Sequence, residues 1–391
     1  MADWDELADY DAVTIEHLRT RGNSKWSHHD EDVLAAWVAE MDFPLAPPIR
    51  QALIDAIARH NCGYSPAALK TGLPQACAAW FGATTGFRVD PEQVHLLPDV
   101  LKGLELAIDT FSPPGSPVIV PTPAYPPFFA VAQLCGRPVI EAPMRNEGGR
   151  HTFDLEGIER ALAAGARTLV VCNPHNPLGR VFSRQELLEV AEVVERRGAR
   201  VVADEVHGPL VYPGAAYIPY ASVSATAAEH SVTLTSASKG WNVAGLKCAQ
   251  ILLTSPADAE VWGALSALRT HGASSLGITA NRVAFESGQE WLGQTIAYLD
   301  RNRRRLGELL GGYLPQVGYW NPEGTYLAWL DCRGLGVEQP SAFFLERARV
   351  AVNDGARFGT PGEGFVRLNF ATTTAILERI VEAMAQAVRT R

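Results

Sequence analysis

The sequence places one lysine, Lys239, in the run Ser236-Ala237-Ser238-Lys239-Gly240, directly after the apolar β-type stretch Ser231-Val232-Thr233-Leu234. An amine at the end of a buried strand is poorly solvated, so its charged form is disfavoured and a neutral nucleophile becomes available. A solvated strand end is the plainer reading of the same residues. The hydroxyl of Ser236 and a second cation, Lys247, suit an anion such as a phosphate close to that amine. Amine and phosphate site together are what pyridoxal 5'-phosphate requires, an aldehyde captured by the lysine and anchored through its phosphate.

Two upstream stretches add to this. Val201-Val202-Ala203-Asp204 is an apolar, β-branched run that ends in a carboxylate. It reads as a buried parallel strand with Asp204 at its C-terminal end, where open α/β sheets bind ligands. A pyridine nitrogen needs such a carboxylate to stay protonated and draw electrons. Leu169-Val170-Val171-Cys172 likewise runs into Asn173-Pro174-His175-Asn176-Pro177. Asn176, fixed by the following proline, is pre-positioned to donate to a ring oxygen. Three strand ends carrying Asn, Asp and Lys in that order are far more specific than any one of them.

The series Asn173-Pro174-His175-Asn176-Pro177-Leu178-Gly179, Asp204-Glu205-Val206-His207, Ser236-Ala237-Ser238-Lys239 and Arg367-Leu368-Asn369-Phe370-Ala371 resembles the fold-type I pyridoxal phosphate enzymes of the aspartate aminotransferase-like group. Within that group Asn23-Ser24-Lys25-Trp26, Trp37-Val38-Ala39-Glu40-Met41-Asp42-Phe43-Pro44 and Pro123-Ala124-Tyr125-Pro126-Pro127-Phe128 are most similar to the cystathionine β-lyase, or C–S β-lyase, subgroup. The likeness runs from about residue 20 to the end. It implies that Lys239 carries the cofactor and moves the Cα proton, and that Asp204 pairs with the ring nitrogen. Asn176 and His207, where many relatives have tyrosine, face the ring oxygen, and Tyr125 stacks on the ring. The phosphate falls to Ser236, Lys247 and the backbone amides of Val100 and Leu101, where relatives often carry small hydroxyl residues and an arginine in place of Lys247. The resemblance further implies that Tyr64 reaches the phosphate of a neighbouring subunit's cofactor, hence a homodimer with shared sites. It assigns the substrate carboxylate to Arg367, Asn176 and the backbone of Ala39. Without it, Tyr125 and Tyr64 read equally as packing residues. Arg367, on an apolar strand, is costly to bury without a carboxylate partner, which an internal salt bridge or a substrate could supply.

The elements that must position these groups follow from patterning. The expected fold class is α/β. A large domain, residues 46–289, holds a mostly parallel, seven-stranded-type sheet sandwiched by helices. Residues 290–391 form a smaller α+β domain, and residues 1–45 an N-terminal arm that belongs with it. Strands are predicted at Val33–Val38, 94–97, 117–121, 168–172, 200–204, 231–236, 248–253, 326–330, 350–353 and 365–370. Helices are predicted from Pro47 to about His60, after Pro98-Asp99, at 184–197 behind the capping box Ser183–Glu186, through much of 259–310, and after Thr373. The turn from Leu97 into a helix at Val100 offers amides at a helix N-terminus, an anion site by geometry and dipole.

With 391 residues and 47% hydrophobic composition the chain can bury a large core. The net charge of −9 argues against a nucleic-acid surface. No apolar run reaches membrane-spanning length. The acidic start, Met-Ala-Asp-Trp-Asp-Glu, has no signal-peptide character, and the six cysteines sit apart in apolar contexts as reduced core thiols, so a cytoplasmic location is expected. His28-His29-Asp30 reads as a solvated turn, and no metal site is expected. The partner is a small amino-acid substrate. Three functions fit: β-elimination from a cysteine S-conjugate such as cystathionine, amino-group transfer by the same residues, and a cofactor-binding regulator. The last needs a basic helix-turn-helix ahead of residue 40, which the acidic arm does not offer.

Overall fold

In the computed structural model residues 10–391 are described, and the acidic start of the chain lies outside the described residues. Seven strands form the main sheet: β1 Val94–Leu97, β2 Val118–Thr122, β3 Val139–Pro143, β4 Thr168–Cys172, β5 Arg200–Asp204, β6 Ser231–Thr235 and β7 Ala249–Leu253. Their order is β1-β7-β6-β5-β4-β2-β3. Only β7 runs antiparallel to its neighbours, β1 and β6; the remaining pairs are parallel. Every residue of β2, β4, β6 and β7 is buried. That explains their continuous Val/Leu/Ile content, since a sheet covered by helices on both faces has no polar side.

The register brings the chemistry together. Cys172 pairs with Asp204, and Asp204 with Leu234, so the C-terminal ends of β4, β5 and β6 lie side by side. The helix Val100–Phe111 lies so close to this sheet that a Cβ at Gly103 would sit 2.7 Å from Leu234 Cδ2. Glycine there lets the helix N-terminus, with Val100 and Leu101, settle at the same edge.

A second, four-stranded antiparallel sheet is built from Gly318–Tyr319, Leu327–Asp331, Phe365–Asn369 and Asn353–Asp354. The 25-residue helix Gln289–Tyr313 packs along Thr374–Arg389 beside it. One apolar core joins Phe43, Ile49, Trp241 and Leu252 to Leu306, Leu330 and Leu377. The capping box forms as expected, with Ser183 Oγ accepting from Glu186 N and the Glu186 carboxylate accepting from Ser183 N.

Three expectations are corrected. The run Val33–Val38 yields only Leu34–Ala35 as strand, paired in parallel with Val350–Ala351, because the Trp37 and Val38 carbonyls are taken by the Arg367 and Asn369 side chains instead of a ladder. The predicted strand 350–353 splits into Val350–Ala351 and Asn353–Asp354, which serve different sheets. Cys62 is exposed rather than a core thiol, although all six cysteines are unpaired. No helix among the described residues is long and apolar enough to cross a membrane.

Candidate active site

Lys239 projects from the single turn Ala237–Gly240 that follows β6. Its Nζ donates to Ala39 O at 3.0 Å. Burial pushes the amine down to about 8, with the nearby Arg367 cation adding to the effect and Glu40 and Asp204 opposing it. An amine so placed is substantially neutral near pH 8, as a nucleophile or base must be.

Asp204, at the end of β5, is 5% exposed. Its Oδ1 accepts from Val206 N at 3.2 Å. Burial pushes the carboxyl up to about 6, against the pull of that amide and of Lys239. Behind it the fully buried Glu205 accepts from Tyr217 Oη and from Tyr220 N, and burial lifts it to about 8. His207 is 2% exposed, its Nδ1 has no partner, and burial holds its ring neutral.

Arg367, on Phe365–Asn369, carries a fully buried guanidinium with no carboxylate against it among the described residues. Its three acceptors are neutral: Asn176 Oδ1 at 3.0 Å, Trp37 O at 3.0 Å and Asn353 Oδ1 at 2.5 Å. Its Nε has no partner at all. The internal salt bridge is thereby excluded for the described residues, leaving a buried cation that a substrate carboxylate would complete. Tyr125 follows β2 and packs edge-on to Phe128. Burial pushes its phenol up, with Arg367 opposing and Asp204 and Asp99 adding, so the ring stands among these charges.

Lys247 lies across from the helix Val100–Phe111, its Nζ 2.9 Å from Asp99 Oδ2. Asp99 caps that helix by accepting from Lys102 N at 2.8 Å. The cation and the first turn of the helix thus both meet the Asp99 carboxylate, and a bound anion there would share these donors with it. Ser236 stands at the head of the Lys239 turn, where its fully buried hydroxyl donates to Cys248 O at 2.7 Å and caps the turn by accepting from Ser238 N at 3.0 Å. Tyr64 is fully exposed and outside this cluster. Tyr326 was not anticipated: its hydroxyl donates to the same Ala39 carbonyl at 2.8 Å and its ring packs edge-on to His207. Its signal was an aromatic opening the strand that pairs with the Arg367 strand.

The model of the class I and II aminotransferases matches residues 38–384. The chain belongs to this family. A cystathionine β-lyase from Corynebacterium glutamicum is 41% identical over 95% of this chain and 98% of its own length. The cystathionine β-lyase PatB of Bacillus subtilis is 33% identical over 90% and 93%. A solved structure from Corynebacterium diphtheriae, assigned as a PLP-dependent β-cystathionase, superposes with a TM-score of 0.92 at 44% identity, covering 96% of this chain and 98% of that one. Cystalysin from Treponema denticola, solved with pyridoxal 5'-phosphate, has a TM-score of 0.92 at 25% identity. The fold is that of the pyridoxal phosphate enzymes of fold type I, and pyridoxal 5'-phosphate is the cofactor. The residues present fit it. They comprise a depressed lysine, a buried carboxylate, an unpartnered His207 Nδ1, an aromatic ring and a cationic helix terminus at one sheet edge.

Proposed function

We propose that this class I/II family member is a C–S β-lyase that splits cystathionine or a related cysteine S-conjugate into a thiol, pyruvate and ammonia. The observation that carries this reading is the 41% identity with a cystathionine β-lyase over nearly the whole of both chains. The site residues take the following roles. Arg367, with Asn176 and the backbone at Ala39, holds the substrate carboxylate; the unpartnered Nε of Arg367 supports this. Lys239 would hold the cofactor through its aldehyde, and its freed amine would take the Cα proton of the substrate. Asp204 would keep the ring nitrogen protonated, Asn176 and His207 would hold the ring oxygen, and Tyr125 would cover the ring. Ser236 and Lys247, with the Val100 and Leu101 amides, would hold the phosphate. When bound, pyridoxal phosphate supplies the electron sink that lets the Cα–H bond break. With sulfur at Cβ, the C–S bond then breaks, the electron pair leaves on the thiolate, and water hydrolyses the released aminoacrylate to pyruvate and ammonia.

The proposal extends to the assembly. Ile54, Ile57, Tyr64, Leu69 and Leu268 are large, exposed and apolar. Such side chains suit burial against a second copy of the chain, with Tyr64 reaching the partner's cofactor phosphate. The working division is an arm at 1–45, a cofactor-binding domain at 46–289 and a small domain at 290–391. It is supported by the larger sheet lying wholly within 94–253 and the smaller within 318–369. Six unpaired cysteines support a cytoplasmic setting.

The test is incubation of the loaded enzyme with cystathionine and no keto acid. Continuous release of pyruvate and thiol is expected. Turnover that stops after one equivalent and resumes only when a keto acid is added would make the protein an aminotransferase.

A further inference from the structure

Residues 36–42 cross the site without a strand partner for most of their length. Their carbonyls are taken in turn by groups brought from elsewhere. Asn369 N donates to Ala36 O at 2.8 Å, and Arg367 Nη2 to Trp37 O at 3.0 Å. Asn369 Nδ2 donates to Val38 O at 2.5 Å and to Glu40 O at 2.6 Å. Ala39 O accepts from Lys239 and Tyr326. Asn242 Nδ2 donates to Met41 O at 2.8 Å, and Arg21 Nη1 to Asp42 O at 2.9 Å.

At the far end of this segment Asp42 pairs with Lys25 at 3.0 Å, both side chains fully buried. Lys25 Nζ also reaches Glu40 O at 3.2 Å and Ala371 O at 3.5 Å. Trp26 Nε1 donates to Asp42 Oδ1 at 2.8 Å. A buried ion pair is a weak source of stability, because desolvation offsets most of the attraction. Its best-attested use is to enforce one geometry over others of similar energy. Here it grips the carbonyl of Glu40, next to Ala39, and the side chain of Asp42, two residues beyond that.

We propose that the Lys25–Asp42 pair, with Trp26, is a positioning device for the reaction, fixing the segment so that the Ala39 carbonyl meets the Lys239 amine. The pair touches neither the amine nor the substrate-binding arginine; it acts through the backbone of residues 39–42. This rests on Lys239 being the amine that binds the cofactor and moves the Cα proton.

The test uses the double variant Lys25→Met with Asp42→Asn. It removes both charges together, leaves no buried ion unpaired and keeps an acceptor for the Trp26 indole. Two quantities are read. One is the pH midpoint for acylation of Lys239 in the cofactor-free protein, followed by mass spectrometry of its peptide. The other is kcat of the loaded enzyme with cystathionine. Losing the Ala39 carbonyl as acceptor disfavours the ammonium, so the midpoint should fall by about half a unit to one unit. Misplacing the base should lower kcat about tenfold with cofactor still bound. An unchanged midpoint, or an unchanged kcat, overturns the proposal whatever happens to the melting temperature. If the double variant does not fold, Asp42→Asn alone is put through the same two measurements. The midpoint is read without any lyase turnover. A wild-type enzyme that fails to release pyruvate would therefore refute the lyase reading and leave this result standing.

Discussion

Lys239 and Asp204 are held away from their ordinary ionisation by one cause, burial at the sheet edge. Lys239→Ala should therefore abolish both turnover and the covalent attachment of cofactor, read as loss of borohydride-trapped label on the protein. Persistent label with residual activity would assign the amine role elsewhere. Asp204 gives a second prediction, because its proton affinity is higher folded than unfolded. Below pH 3.8 both states are protonated and the group contributes nothing. As pH rises from 3.8 to about 6 the unfolded chain loses the proton first, so stability falls. Above that window the shift corresponds to roughly 3 kcal/mol of native-state cost. Cofactor-free Asp204→Asn should thus be more stable than wild type by about 2–3 kcal/mol at pH 8, and by about half of that at pH 5. Urea titration at the two pH values measures this. The same variant should lose most activity when loaded, since a neutral amide cannot keep a ring nitrogen protonated.

Elements explain what the sequence could and could not reveal. The strands ending at Cys172, Asp204 and Thr235 were legible because buried parallel strands are continuous apolar runs, and their ends carry the polar residues of the site. The helix at Val100 was legible from Pro98-Asp99, although nothing in the sequence shows Asp99 occupied by both Lys102 N and Lys247. The cap made by Ser236 was not legible, because residue type gives a hydroxyl but not its direction. The start of the 36–42 segment, up to Val38, was misread as strand for a similar reason. Its apolar residues fit a β pattern, while the donors that claim its carbonyls, Asn369, Arg367 and Asn242, lie hundreds of residues away. Asn369→Ala tests that segment directly. It removes the donor to Val38 O and Glu40 O, which keep Glu40 N and Lys25 Nζ as partners, and the acceptor of the buried Ala371 N, and losing these three hydrogen bonds should cost about 2–4 kcal/mol by chemical denaturation. kcat/KM should fall more than tenfold, because both the Arg367 and the Lys239 contacts run through this backbone. A loss of stability with unchanged kinetics would confine Asn369 to the small sheet.

At the scale of the whole molecule, the site of a single chain gives the proposed phosphate position one lysine, one serine hydroxyl and a helix terminus. A further donor from a second copy would matter. Tyr64 is fully exposed, as Ile54, Ile57 and Leu69 also are in large part, and such side chains suit burial against a second copy. A hydrogen bond to a charged group contributes roughly 1.5–3 kcal/mol. Tyr64→Phe should then weaken cofactor retention about ten- to a hundredfold, at a factor of ten per 1.4 kcal/mol. Mixing subunits separates this from a local folding defect. Tyr64→Ala and Lys239→Ala homodimers should each be nearly inactive. After subunit exchange, a mixed dimer places both defects in one site and neither in the other, so up to half the activity per mixed dimer should return. Sedimentation that finds exchanged dimers without recovered activity would remove Tyr64 from the partner's site, and a chain that sediments as a monomer while fully active would remove the shared site altogether.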